Sequence, residues 1–243
     1  MSDGTATAAT PASAPSMAPL QVGLVALFVT ALVTAQVTAS KLLAFGLPFS
    51  LPLGIDALVL PGAALAYALT FFASDCIAEL YGKRNAQVVV NVGFVMNFVL
   101  LLLIWSTIEA PALPQAAQSV DLDAFRNVLG SSTAIVVASL SAYVVSQNWD
   151  VIVFHRLREY TDGDHLWLRN IGSTATSQLL DTVIFVGVGF YVLQGLPFAE
   201  ALTLVVGQYV FKLLVAVADT PFVYGVVELA KRTDANVVPV RAD

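Results

Sequence analysis

The side chains able to do chemistry lie inside apolar runs. In SQLLDTVIF (177–185), Asp181 sits among Leu179, Leu180, Val183, Ile184 and Phe185. Asn170, Thr174, Ser177 and Asp181 follow one another at helical spacing and share a face, with Gln178 adjoining it. Asp181 lies about ten residues past Ile171, where this run enters the apolar phase, or roughly 15 Å at helical rise. That is half of a bilayer core of about 30 Å. In the last apolar run Gln208, Lys212 and Asp219 form a second stripe, and Lys212 falls about 16 Å from the outer edge by the same rise. A carboxylate and an ammonium at matched depth on consecutive antiparallel helices can neutralise each other. A charge at the centre of a span is disfavoured by about 2.5–3.5 kcal/mol on insertion scales, so such residues turn to the bundle interior and mark sites or pathways.

Other runs carry polar groups in the same way. Ser139, Tyr143, Gln147, Asp150 and Phe154 make a mixed stripe, with Asn148 and Trp149 beside it. Phe71, Phe72, Asp75 and Glu79 share a face near one end of their run. Thr30, Thr34 and Lys41 line up in the first run, and Asn91 and Asn97 fall on different faces of the third. Each has a plain structural reading. Asp181 and Lys212 could be an ion pair without further use, and Lys41 could reach the outer headgroups. Asparagines could join helices, and Tyr143, Trp149 and Trp167 could be packing or interfacial aromatics. Taken together, inward polar groups on six helices favour a binding site over six separate accidents.

The elements that must position these groups follow from composition. The chain has 243 residues, of which 58% are hydrophobic and 12% charged, with mean hydropathy +0.80. A soluble domain carries about 25% charge. The apolar runs approach or exceed the roughly 20 residues that cross a bilayer. They predict an all-α polytopic membrane protein, a bundle of six transmembrane helices over about 20–45, 57–80, 86–108, 131–158, 166–193 and 198–231. GLPFSLPLG (46–54), the Pro111–Pro114 loop, TDGD (161–164) and QGLP (194–197) separate them. Residues 1–18, rich in Ala, Thr, Ser and Pro, read as a disordered tail, residues 19–231 as the six-helix transmembrane domain, and 232–243 as a second tail. Lys83, Arg84, Arg156, Arg158, Arg169, Lys231 and Arg232 fall at one side; Asp56, Glu109, Asp121, Asp123 and Glu200 fall at the other, with Arg126 alone among them. The positive-inside rule then puts both termini in the cytoplasm of a plasma-membrane protein. The net charge of −6 does not suit nucleic acid. Cys76 is the single cysteine, so no disulfide forms within the chain. No HExxH zinc motif, Gly-x-Ser-x-Gly elbow or Walker A loop is present, so neither an enzyme nor a cofactor is expected.

Four strings, SDCIAELYGKRNA (74–86), SQNWDVIVFHRLRE (146–159), LRNIGSTATSQLLDTVIF (168–185) and KLLVAVADTPFVY (212–224), occur in order on successive helices. Together they resemble the queuosine-precursor transporters of the vitamin-uptake-transporter type. The resemblance implies a six-helix fold similar to the substrate-binding components of energy-coupling-factor importers. It implies uptake of 7-deazaguanines that feed the modified tRNA bases queuosine or, in an archaeon, archaeosine. The residues make chemical sense of such a purine-like cargo. A carboxylate, Asp181 or alternatively Asp75 or Asp150, can accept both N–H donors of its pyrimidine edge. Lys212, Arg169 or an amide can donate to its carbonyl, with Gln147, Asn148, Gln178, Gln208, Ser177, Asn91 and Lys41 as further polar contacts. Phe72, Tyr143, Trp149 and Tyr209 can stack on its ring. Two energy sources stay open: an ion gradient used by this chain alone, or a separate energising subunit.

Overall fold

The computed structural model describes residues 19–51, 55–161 and 166–233. The two tails, at 1–18 and beyond 233, and the turn at 162–165 lie outside the described residues, as do the side chains of Trp167, Arg169 and Asn170. Among the described residues, six helices are long and apolar enough to cross a membrane. They are α1 (Pro19–Thr38), α2 (Ala63–Tyr81), α3 (Lys83–Glu109), α5 (Ser132–Tyr160), α6 (Leu166–Val186) and α7 (Phe198–Thr233). A short helix, α4 (Leu122–Gly130), precedes α5, and a π-helical turn, Gly187–Val192, prolongs α6. The protein is therefore a multi-pass helical membrane protein.

Three local features depart from the expected helix map. The first helix stops at Thr38 rather than near Phe45, and the second begins at Ala63 rather than Ala57. Between them, β1 (Leu42–Leu51) and β2 (Ile55–Pro61) form an antiparallel hairpin, in register from Leu42 opposite Pro61 to Gly46 opposite Ala57. Gly46 and Pro48 deny this stretch a helix, while alternation in β2 buries Leu58 and Leu60 on one face. The third departure is α4, in what reads as a polar loop. Its start is fixed by Asp121, whose carboxylate accepts from the Ala124 N–H at 2.8 Å.

Tight joints hold the bundle. Gly82, at φ 89°, makes the single-residue turn from α2 to α3, a conformation that suits glycine. One core cluster is rich in alanine: Ala35, Ala39, Ala63, Ala138, Ala142 and Ala201 surround Ile135, Phe185, Val186, Phe190 and Leu204. Small residues let helices approach closely where lipid supplies no hydrophobic drive between them. A second cluster, Leu24, Cys76, Ile77, Leu80, Val227 and Ala230, closes α1, α2 and α7 near the basic end. Val88, Val92, Val95, Val99 and Leu102 form an exposed stripe along α3, as a lipid-facing surface requires.

The hairpin docks on α7 at Gly207. A Cβ there would run into the carbonyl oxygen and the backbone nitrogen of Val59. Gly207→Ala is expected to lift the hairpin and destabilise the protein by about 1–3 kcal/mol, the usual effect of overpacking. A thermal melt of the detergent-purified variant no lower than that of the wild type would contradict this docking.

Candidate functional site

A cavity of about 210 Å³ lies at mid-depth between α1, α2, α3, α5, α6 and α7. Its polar wall is built by helical repetition. On α6, Gln178, Asp181 and Phe185 face it; on α7, Gln208, Phe211, Lys212 and Val215; on α5, Ser139, Tyr143, Ser146 and Gln147. Asp181 and Lys212 meet as the matched depths predict: Lys212 Nζ donates to Asp181 Oδ2 at 2.7 Å. Their side chains are 27% and 12% exposed, respectively. The Ser146 hydroxyl reaches the other carboxylate oxygen, Oδ1, over a long 3.4 Å. The pair lets two charges stay ionised in a largely apolar surround.

Aromatic rings flatten the cavity. Tyr143 packs against Phe94 with ring centroids 4.1 Å apart, and Gln87 Nε2 donates to the Tyr143 hydroxyl at 2.8 Å. Tyr67, Phe71, Phe28 and Phe185 complete the rim. A narrow, largely apolar space with a few placed polar groups is what a small-molecule site needs. Its volume is below the roughly 300–1,000 Å³ of drug-sized pockets, which suits a single small ring system.

A second cavity, of about 760 Å³, lies toward the end that carries Lys83. Asp75, Glu79, Lys83, Thr174, Asp219 and Tyr224 are among its lining residues. Three residues border both cavities: Phe71, Gln178 and Lys212. A line of polar residues thus runs along α7 from Gln208 through Lys212 to Asp219, and along α6 from Thr174 through Gln178 to Asp181, with the three shared residues where the cavities adjoin.

Of the side chains singled out from the sequence, Asp181, Lys212, Gln178, Gln147, Gln208 and Tyr143 line the central cavity, and Asp75 lines the second. Asp150 sits behind the wall, accepting from the Ser177 hydroxyl at 3.1 Å in the α5–α6 seam. Tyr209 ties α7 to α6 by donating to the Ala175 carbonyl at 3.3 Å. Trp149 donates to Thr176 Oγ1 at 3.3 Å, and Asn148 bonds back to the Val144 carbonyl at 2.6 Å. Asn91 accepts from Gln87, one step removed from Tyr143. Phe72 packs against the cluster around Cys76, and Lys41 is exposed beyond the end of α1. None of these seven, nor Ser177, lines either cavity. A helical stripe is wider than the arc that faces a cavity, and its edges serve the seams between helices. Tyr67, Phe94 and Ser146 were not singled out as site residues. Tyr67 lies one turn before Phe71 on the same face, a spacing that could have flagged it.

Six spans around a small, largely apolar cavity that holds a buried ion pair, with a second cavity adjoining it, describe a membrane transporter. Residues 61–226 match the family described as "Putative vitamin uptake transporter", and the chain belongs to that family. A "Probable queuosine precursor transporter" of Bacillus subtilis (strain 168) is 32% identical over 159 residues, covering 65% of this chain and 67% of the relative. Another protein of that name, from Haemophilus influenzae (strain ATCC 51907 / DSM 11121 / KW20 / Rd), is 30% identical over 170 residues, 67% of this chain and 66% of the relative. The chain thus spans about two thirds of the length of each. No solved structure matches it. The family match takes in every residue lining the two cavities except Phe28 and Leu32.

Proposed function

We propose that the protein imports a queuosine or archaeosine precursor, a 7-deazaguanine such as the 7-cyano base or its aminomethyl relative, for tRNA modification. The observation that carries this reading is the Asp181–Lys212 pair on the wall of a flat aromatic cavity. The pyrimidine edge of the cargo offers two adjacent N–H donors, which a carboxylate accepts as a bidentate, charge-assisted pair. Lys212, freed from that carboxylate, donates to the neighbouring carbonyl oxygen, and Tyr143 with Phe94 supplies a stacking face. The relatives' names add the same substrate class. The basic end, with Lys83, Arg84, Arg156 and Arg158, is the cytoplasmic one, in the plasma membrane. Uptake of a labelled 7-deazaguanine by cells unable to synthesise it tests the reading, and no gain over vector-only cells would refute it.

The seam of two cavities supports transport by this chain alone, driven by a gradient. The alternative is a substrate-binding subunit for another small vitamin-like molecule, energised by a separate ATPase module. Liposomes holding only the purified protein separate the two: gradient-driven accumulation supports the first, and binding without accumulation the second.

The partition of Phe71, Gln178 and Lys212 acts as the inner gate. Cys76 is buried, so introduced cysteines report without interference. Ala216→Cys, in the second cavity, is expected to react with an impermeant maleimide from the basic end. Ala68→Cys, in the central cavity, reacts slowly until Phe71→Ala is added, which raises its rate about tenfold, the effect of shifting a gate by about 1.4 kcal/mol. Equal rates at the two positions without Phe71→Ala would remove the gate.

A further inference from the structure

Gln208 holds a polar atom that the ion pair does not use. The residue is 9% exposed, its Oε1 has no hydrogen-bond partner, and it lines the central cavity. Buried amides are usually paired; Gln36 and Asn97 also lack partners but line neither cavity, and among the described residues Gln208 is the one unpaired buried amide that borders a cavity, where a ligand group can pair it. Gln208 precedes Lys212 by one turn on the same face of α7, about 6 Å along the axis. At that level α6 presents the apolar ring of Phe185, one turn beyond Asp181. A fused bicyclic base fits this spacing. Its two-donor pyrimidine edge faces Asp181. One edge further round the ring come a pyrimidine nitrogen, which accepts, and the N–H of the five-membered ring, which donates. A carboxamide carries one acceptor and one donor side by side and turns to match them.

We propose that Gln208 is a specificity-determining residue that reads this second edge, so that the carrier takes the base with its five-membered-ring N–H free and rejects one substituted there. The inference rests on the reading of the cargo as a 7-deazaguanine. It is tested with purified protein by calorimetric binding of 7-cyano-7-deazaguanine and of its analogue methylated on the five-membered-ring nitrogen. In the wild type, methylation is expected to weaken binding about tenfold or more, because the buried amide is left unpaired. In Gln208→Met the parent compound weakens similarly and the penalty for methylation disappears. Gln208→Asn, which withdraws the amide by one methylene, behaves the same way and serves if the Met variant does not fold. Parent binding with methylation tolerated by the wild type overturns the role of Gln208 while leaving the cargo assignment standing, as does a penalty unchanged in the variants. Failure of the parent to bind overturns both.

Discussion

Asp181→Asn is expected to abolish uptake while leaving membrane insertion and yield near those of the wild type. The carboxylate oxygen that accepts from Lys212 at 2.7 Å is the acceptor proposed for the donor edge of the cargo. An amide presents one acceptor and one donor, and its donor opposes a donor of the cargo. Losing one charge-assisted bond and creating that mismatch removes about 3 kcal/mol, or about 100-fold in affinity. Folding is spared because of where Lys212 lies. Its side chain borders both cavities, so without Asp181 the ammonium still faces the larger cavity, whose lining includes the carboxyls of Asp75 and Asp219. The measurement is initial uptake rate normalised to protein in the membrane. Wild-type rates in this variant would remove Asp181 from the site.

Lys212→Met should act differently, and the asymmetry is the second large effect. Asp181 lines the central cavity only, and among the described residues Lys212 is its one salt-bridge partner. The methionine leaves a carboxylate with a long Ser146 contact and an apolar, aromatic surround. Breaking a buried pair from one side destabilises by about 3–5 kcal/mol; with Asp181 27% exposed to the cavity, about 2–3 kcal/mol is expected after discounting for hydration. Yield and thermal stability therefore fall together with uptake. In the double variant Asp181→Asn/Lys212→Met both charges are gone, so yield and melting temperature recover while uptake does not. A double variant as unstable as Lys212→Met would show that Lys212 contributes by packing rather than by charge.

The aromatic wall and the partition between the cavities arise from residues whose chemistry is unremarkable in the sequence. Tyr67 and Phe94 are two of many aromatics in apolar helices, and only the placement of α2 and α3 in the bundle brings them to the cavity that Asp181 lines. Trp149 and Tyr209 carry the same chemistry, yet their polar atoms are used in seams with α6. The hairpin at 42–61 was hidden by its apolar composition, which continues the hydropathy of α1 and α2 without a gap. Its Gly and Pro residues signalled a break in the helix, but two strands require a partner surface, and Gly207 of α7 supplies it.

What the sequence determined by itself was set by local rules. Run length gave six spans, basic residues gathered at one end, and helical rise placed Asp181 and Lys212 at one depth on neighbouring antiparallel helices. Those features depend on residues close in the chain, or on two helices joined by a short turn. The tertiary structure alone decided which arc of each stripe faces the cavity, that Asp150 and Ser177 lie in a seam instead, and that Phe71, Gln178 and Lys212 border both cavities. The reason is that helix order and rotation around the bundle are fixed by close packing of small residues such as Ala35, Ala138 and Ala201 across helices, and hydropathy is the same on either side of such a contact.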